Sequence, residues 1–149
     1  MGAESVVKDA SGRVVVHTKV GDQQRNYIQT TPVDCRGTAA YQERITIPTP
    51  GVLRGQISVS ADIKQAASFT GDHLALGVRI VGYYSGAPFL LAKVTLSALR
   101  PSYRLSFGED SETFDQIGIE AAQIVNGALS SDATAATVLN LNSSGKFWY

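Results

Sequence analysis

Side chains able to do catalytic or metal chemistry are few in this chain. The sequence has two histidines, His17 within an apolar run and His73 beside a loop, and one cysteine, Cys35. No His-x-x-x-His, Cys-x-x-Cys or Gly-x-Ser-x-Gly spacing occurs, and the polar residues at 68–73 have a density common in loops. The residue types therefore predict that the protein is not an enzyme and holds neither a cofactor nor a metal.

Length and charge are those of a single-domain protein. A chain of 149 residues can bury about 70% of its unfolded surface, so we expect one domain over 1–149. The net charge is zero, but residues 42–100 are mildly basic and residues from 101 onward are acidic. The lone cysteine excludes an internal disulfide, and neither a secretory leader nor a run of about 18 apolar residues is evident. We expect a soluble protein of a reducing compartment, with no membrane partner.

About residues 1–108 are predicted to be β-rich. Apolar and polar residues alternate from Gln56 to Lys64, which predicts a strand with one apolar and one polar face. A shorter alternating run, Glu43–Ile47, is expected to end at Pro48 because proline cannot donate a hydrogen bond to a sheet. The pattern therefore predicts a sheet whose outer side meets water or a polar partner.

Two turns divide these predicted strands into hairpins. Ser5–Lys8 and Arg13–Lys19 flank a turn-rich tetrapeptide, which predicts an N-terminal β-hairpin. Ser85–Pro88 separates two later apolar runs and predicts a second hairpin. We expect the later strands to form a five-stranded antiparallel meander.

The last third, about residues 111–141, is predicted to hold two helices. Apolar residues recur at steps of three and four between Phe114 and Ala128, and a second short helix is expected over Ala133–Leu141. A sheet followed by helices is an α+β arrangement. Each helix has one apolar stripe, so the pair must dock on a sheet of its own chain or of a second subunit.

The polar faces of the predicted strands suggest an RNA surface. If neighbouring strands pair in meander order, cations and hydroxyls share one face, where cations hold phosphates, hydroxyls read bases and a tyrosine offers stacking. The residues predicted to bind RNA are Arg44, Thr46, Ser58, Ser60, Lys64, Arg79, Tyr83, Lys93 and Thr95. A half-exposed sheet that simply meets water gives the same alternation and stays an alternative.

The predicted order of elements resembles the coat proteins of single-stranded RNA bacteriophages. The likeness rests on the hairpin, the meander, the two helices and the terminal Tyr149, and it is strongest from Phe107 onward. The resemblance implies an interlocked homodimer with a ten-stranded sheet, whose bare face binds a hairpin of the viral single-stranded RNA. It further implies that dimers assemble into an icosahedral shell in the bacterial cytoplasm, so that the protein is a virion component.

The same resemblance assigns the apolar stripe of the first helix to the dimer interface. The residues concerned are Phe114, Ile117, Ala121, Ile124 and Val125. The match departs at Ser85–Pro88, which is short where the family has a long loop. A phage structural protein that does not bind RNA, such as a tail-tube or decoration subunit, is the alternative, and an enzyme or small-ligand barrel is the third.

Overall fold

The computed structural model describes residues 4–8, 14–19, 24–52, 54–64, 73–108, 114–132 and 138–148. Every regular element within these ranges is a β-strand, so the α+β prediction is wrong. In chain order the strands are β1 (Glu4–Lys8), β2 (Val14–Lys19), β3 (Gln24–Asp34), β4 (Gln42–Val52), β5 (Arg54–Lys64), β6 (Leu74–Tyr84), β7 (Ala87–Ser97), β8 (Ser102–Phe107), β9 (Phe114–Val125), β10 (Ala128–Leu129) and β11 (Val138–Trp148).

Two antiparallel sheets form a β-sandwich. Sheet A has the order β3-β11-β5-β8, and sheet B has the order β10-β9-β6-β7 with β4 also paired to β9. β1 and β2 pair separately, which confirms the predicted N-terminal hairpin. The predicted meander is wrong: among the described strands β4, β5 and β6 do not pair with one another. The ten-stranded sheet of an interlocked dimer is therefore not the architecture of this chain.

The strands follow the path of a jelly roll. β6 pairs with β7, and outward from that hairpin β5 pairs with β8, β4 with β9 and β3 with β11. This long antiparallel ribbon is rolled up, because β9 also pairs with β6 and β11 also pairs with β5. Eight strands arranged in this way make the two-sheet jelly roll.

The facing sides of the two sheets supply the core. Along β5 the side chains of Ile57 and Val59 are buried, whereas Ser58 and Ser60 face outward, as the alternation predicts. The largest fully buried apolar side chains are Phe147, Ile47, Ile57, Leu76, Ile80, Leu96, Ile117, Ile119, Leu141 and Val52.

The segment predicted as the first helix is the central strand β9. Ile117, Ile119 and Ala121 face the core, but Gly118 and Ala122 on the opposite face are also buried. A strand covered on both faces has apolar residues at neighbouring positions, and such a run also fits helical steps of three and four. The periodicity therefore could not distinguish the two structures.

The segment predicted as the second helix ends in a strand. Residues 138–141 begin β11, which lies between β3 and β5. Residues 111–113 and 133–137 of the predicted helical region lie outside the described residues. A short apolar run near the chain end gave too few periods to separate helix from strand.

The prolines and the turns have clear positions. β4 continues through Pro48 to Val52, contrary to the prediction, and its only described partner is β9. A strand with one free edge tolerates prolines whose missing N–H is not needed by a neighbour. The predicted β6–β7 hairpin is confirmed, with Ser85 and Gly86 at φ values of 49° and 82° that suit a two-residue turn.

Candidate functional site

Eight of the nine residues predicted to bind RNA lie on two opposite outer faces. Ser58, Ser60 and Lys64 are on the outer face of sheet A, through β5. Those on the outer face of sheet B are Thr46, Arg79, Tyr83, Lys93 and Thr95. Arg44 turns towards the end of β3, where its Nη2 donates to the carbonyl of Asp34 at 2.7 Å. The assumed strand order was wrong, so the single face derived from it does not exist.

The cations on the outer face of sheet B are already engaged within the chain. The Arg79 guanidinium lies 3.8 Å from the centre of the Tyr41 ring and its Nη1 is 3.9 Å from Glu120 Oε1. The Lys93 ammonium lies 5.6 Å from the centre of the same ring. Arg79 is therefore both stacked on an aromatic face and paired with a carboxylate, whereas Lys93 keeps its charge and lies over the same ring.

The hydroxyl groups on this face are occupied as well. Thr46 Oγ1 donates to Glu43 Oε2 at 2.7 Å, and the Tyr83 side chain is hydrogen-bonded to the same carboxylate. Burial raises the pKa of the Tyr83 hydroxyl, and the neighbouring Glu43 carboxylate raises it further. Tyr41 and Glu43 therefore contact four of the predicted RNA-binding side chains on the outer face of sheet B, those of Thr46, Arg79, Tyr83 and Lys93.

The outer face of sheet A is different, because small polar residues form its floor. One row across all four strands reads Ile28, Ser144, Ser58 and Arg104. The neighbouring row reads Asn26, Lys146, Gln56 and Ser106, and the row on the other side contains Asn142, Ser60 and Ser102. Small side chains on the two middle strands form the floor of a groove, with Ile28 and Arg104 at its sides and Lys146 and Gln56 along one end.

The groove is large enough to hold a small ligand. Its main part has a volume of about 380 Å³ and is lined by Asn26, Tyr27, Ile28, Gln56, Ser58, Arg104, Ser144, Gly145 and Lys146. A second depression of about 240 Å³ continues over Ser60, Ser102 and Asn142. Ligand sites in proteins usually occupy 300–1,000 Å³. We call this surface, from Ile28 across to Arg104, the sheet A groove.

Positive charge is concentrated around the sheet A groove. Arg104 and Lys146 border it, and among the described residues neither forms an ion pair. Arg54 lies 5.1 Å from the centre of the Trp148 ring near one end. At the other end Lys64 is 3.6 Å from Asp62. The groove thus presents two unpaired cations in a chain whose net charge is zero.

Sequence reasoning missed Arg104 and Lys146. The signal for Arg104 was present, because Ser102, Arg104 and Ser106 alternate with Tyr103, Leu105 and Phe107 as in a half-buried strand. Lys146 follows a serine and glycine run that gave no strand pattern. Its position beside Gln56 depends on the non-local pairing of β11 with β5.

The residues assigned to a dimer interface are covered within one chain. Phe114, Ile117 and Ala121 are 4%, 0% and 0% exposed in the core, while Ile124 and Val125 are half-buried. The helical stripe on which the assignment rested does not exist. Self-association stays a prediction, but it needs a different surface.

The remaining candidates for chemistry are few within the described residues. Burial raises the pKa of the Cys35 thiol, whose Sγ lies 3.6 Å from the carbonyl oxygen of Val33. No group of three or more His, Cys, Asp or Glu side chains that could bind a metal occurs in the part of the chain that the structure describes. That part also has no helix long and apolar enough to cross a membrane.

Three solved structures are similar to this chain over almost its full length. A chain of the T13 particle of infectious bursal disease virus matches 99% of it at 12% identity, with a TM-score of 0.56. The fold is shared with proteins of a viral particle. The VP2 subviral particle of the same virus matches 96% of the chain at 14% identity, with a TM-score of 0.52. The structure of the Gx strain of this virus matches 98% of the chain at 12% identity, with a TM-score of 0.51.

The likeness concerns the fold and one part of the viral chains. No family model matches the sequence, and no curated protein is similar to it. The chain spans 36–37% of the length of the viral chains, so it corresponds to one part of them. At this level of identity the comparison shows a common fold.

Proposed function

We propose that this chain is a structural, non-enzymatic domain of an icosahedral viral capsid. The observation that carries the proposal is the jelly-roll order of β3–β11, together with its likeness over almost the whole chain to a part of the virus particle protein. Jelly rolls occur in viral capsid and lectin domains. The absence of a metal-binding cluster in the described residues is compatible with a structural role.

A shell domain must bind further copies, and β7 offers the best surface for this. It pairs with β6 alone among the described strands, so its other edge has free backbone groups. Phe89 and Leu90 are 53% and 55% exposed there. Leu90 borders a depression of about 460 Å³ that Val81 and Pro88 line together with the charged residues Arg79, Lys93 and Glu120. Exposed apolar side chains beside an open strand edge favour contact with another protein copy.

We expect Leu90→Glu to abolish assembly without unfolding the protein. A carboxylate at the centre of an apolar contact would be desolvated, whereas in the free chain it meets water. Sedimentation velocity at about 50 µM should show large assemblies for the parent and small species for the variant. The matched control is Thr30→Glu, an exposed position on β3 in the other sheet, which should still assemble. Equal assembly of both variants would remove β7 from the interface.

RNA binding remains a prediction in a narrower form. An RNA hairpin can contact only one outer face of the sandwich at a time. Lys64 and Lys93 lie on opposite faces, so Lys64→Ala and Lys93→Ala should not both weaken RNA binding. We expect the loss with Lys64→Ala, because Lys64 shares its outer face with the cations Arg104 and Lys146. Losing one phosphate contact should flatten the slope of log affinity against log salt by about 0.7–0.9. Hairpin binding at several salt concentrations measures this, and unchanged slopes in both variants would exclude these faces.

A further inference from the structure

The sheet A groove combines three kinds of side chain that together suit one class of ligand: small polar groups, cations and an exposed aliphatic group. Its floor is made of the hydroxyls of Ser58 and Ser144, with the amide of Gln56 beside them. Its borders carry the cations Arg104 and Lys146. The aliphatic side chain of Ile28 is 68% exposed at one edge of the groove.

The two cations lie diagonally on either side of Ser58. Arg104 is directly opposite Ser58 on β8, and Lys146 on β11 is one row further along, opposite Gln56. Strands are about 4.8 Å apart and two residues along a strand span about 6.8 Å, so the two Cα atoms are about 12 Å apart. Long flexible side chains at this separation can both reach one anionic group above the serine floor.

We propose that the sheet A groove binds an anionic saccharide, a sugar that carries a carboxylate or a sulfate. Arg104 and Lys146 hold the acidic group through charge-assisted hydrogen bonds. The serine hydroxyls and the Gln56 amide exchange hydrogen bonds with the sugar hydroxyls, since both sides carry donors and acceptors. Ile28 covers an apolar C–H face of the sugar ring. The groove volume of about 380 Å³ suits one or two sugar rings.

Nucleic acid fits this groove less well. Sequence-tolerant binding of single strands uses aromatic side chains on which successive bases stack. Two aromatic side chains lie at or near the groove among the described residues. Tyr27 packs against the core and donates its hydroxyl to Gln29 Oε1 at 2.8 Å, and Arg54 lies over the Trp148 ring at 5.1 Å. The proposal does not depend on the capsid function, because the groove lies within one chain.

The test is saturation-transfer NMR with the 149-residue protein, which detects weak ligands on particles and on single chains alike. The probes are 3′-sialyllactose for the carboxylate, a heparin disaccharide for the sulfate, lactose as the neutral counterpart and octauridylate as the nucleic acid. We expect transfer to at least one acidic sugar and none to lactose. Arg104→Gln and Lys146→Gln should each weaken that binding about tenfold or more, because each removes a charge-assisted hydrogen bond.

Two further variants separate the groove from general charge. Ser58→Val keeps all charges but fills the floor, so it should also abolish transfer. Lys93→Gln removes one cation from the opposite face and should leave binding unchanged, with circular dichroism confirming the fold of every variant. Transfer to octauridylate alone, or no transfer to either acidic sugar at millimolar concentrations, would overturn the proposal. So would binding that Arg104→Gln and Lys146→Gln leave at the parental strength.

Discussion

Replacing Phe114 by alanine should lower the free energy of unfolding by about 3–5 kcal/mol, which is most of the stability of an ordinary domain. Phe114 begins β9 in sheet B and is 4% exposed. Its ring lies 6.1 Å from the ring of Phe89 and 6.0 Å from that of Phe107 in sheet A, so it joins the two sheets at one end of the sandwich. Urea unfolding followed by circular dichroism measures the loss.

Protein concentration distinguishes a core residue from an interface residue in this experiment. The cavity is inside one chain, so the difference between Phe114→Ala and the parent should not depend on protein concentration. Leu129→Ala, on the 49% exposed side chain in β10, is the control and should change the stability by less than about 0.5 kcal/mol. A Phe114→Ala variant that unfolds like the parent but fails to associate would restore the dimer-interface assignment.

Gln123→Glu should lower the free energy of unfolding by about 3 kcal/mol or more at pH 7, although it changes a single group. Gln123 is fully buried. Its Nε2 donates to the carbonyls of Ser130 and Asp132 at 3.3 and 2.8 Å, and its Oε1 accepts from the Gly37 N–H at 3.2 Å. A carboxylate cannot donate to either carbonyl, and its charge would be buried without a cation.

The loss of stability in Gln123→Glu should increase as the pH rises. Burial raises the folded-state pKa of the introduced carboxylic acid above its unfolded value of about 4.3. The cost is therefore smallest below about pH 4, where the acid is protonated in both states and can donate one hydrogen bond. It grows as the pH rises towards the folded-state pKa.

Urea unfolding of the same variant at pH 4 and pH 7 measures this dependence. Gln116→Glu, the same change at a half-buried position on the outer face of β9, should cost less than about 1 kcal/mol at both pH values. If Gln123→Glu matched this control, Gln123 would lie at a surface, as the helix prediction requires.

Local patterns in the sequence were sufficient for several strands. The alternation from Gln56 to Lys64 gives β5 with the correct inward face, and the turn at Ser85 and Gly86 gives the β6–β7 hairpin. In both cases the signal is contained within about ten neighbouring residues. Strands of this kind can be predicted because alternation and turn chemistry are local properties.

The sheet order could not be predicted in the same way. β5 lies between β11 and β8, and β9 lies between β6 and β4, so the decisive pairs join residues far apart in sequence. A meander is the simplest assumption, and it merged Ser58 and Lys93 into one face although they lie on opposite sides of the sandwich. The prediction of a helix at β9 was wrong for a related reason. The side chains that bury the outer face of β9, including those of Glu43 and Tyr83, come from other strands.

Electron microscopy of the purified protein tests the capsid proposal most directly. If the domain builds an icosahedral shell through its jelly roll, negatively stained samples should contain closed, roughly spherical particles of uniform size. Leu90→Glu should yield none under the same conditions. Tubes or flat rings would instead favour a tail or decoration subunit, and dispersed single chains would contradict the proposal.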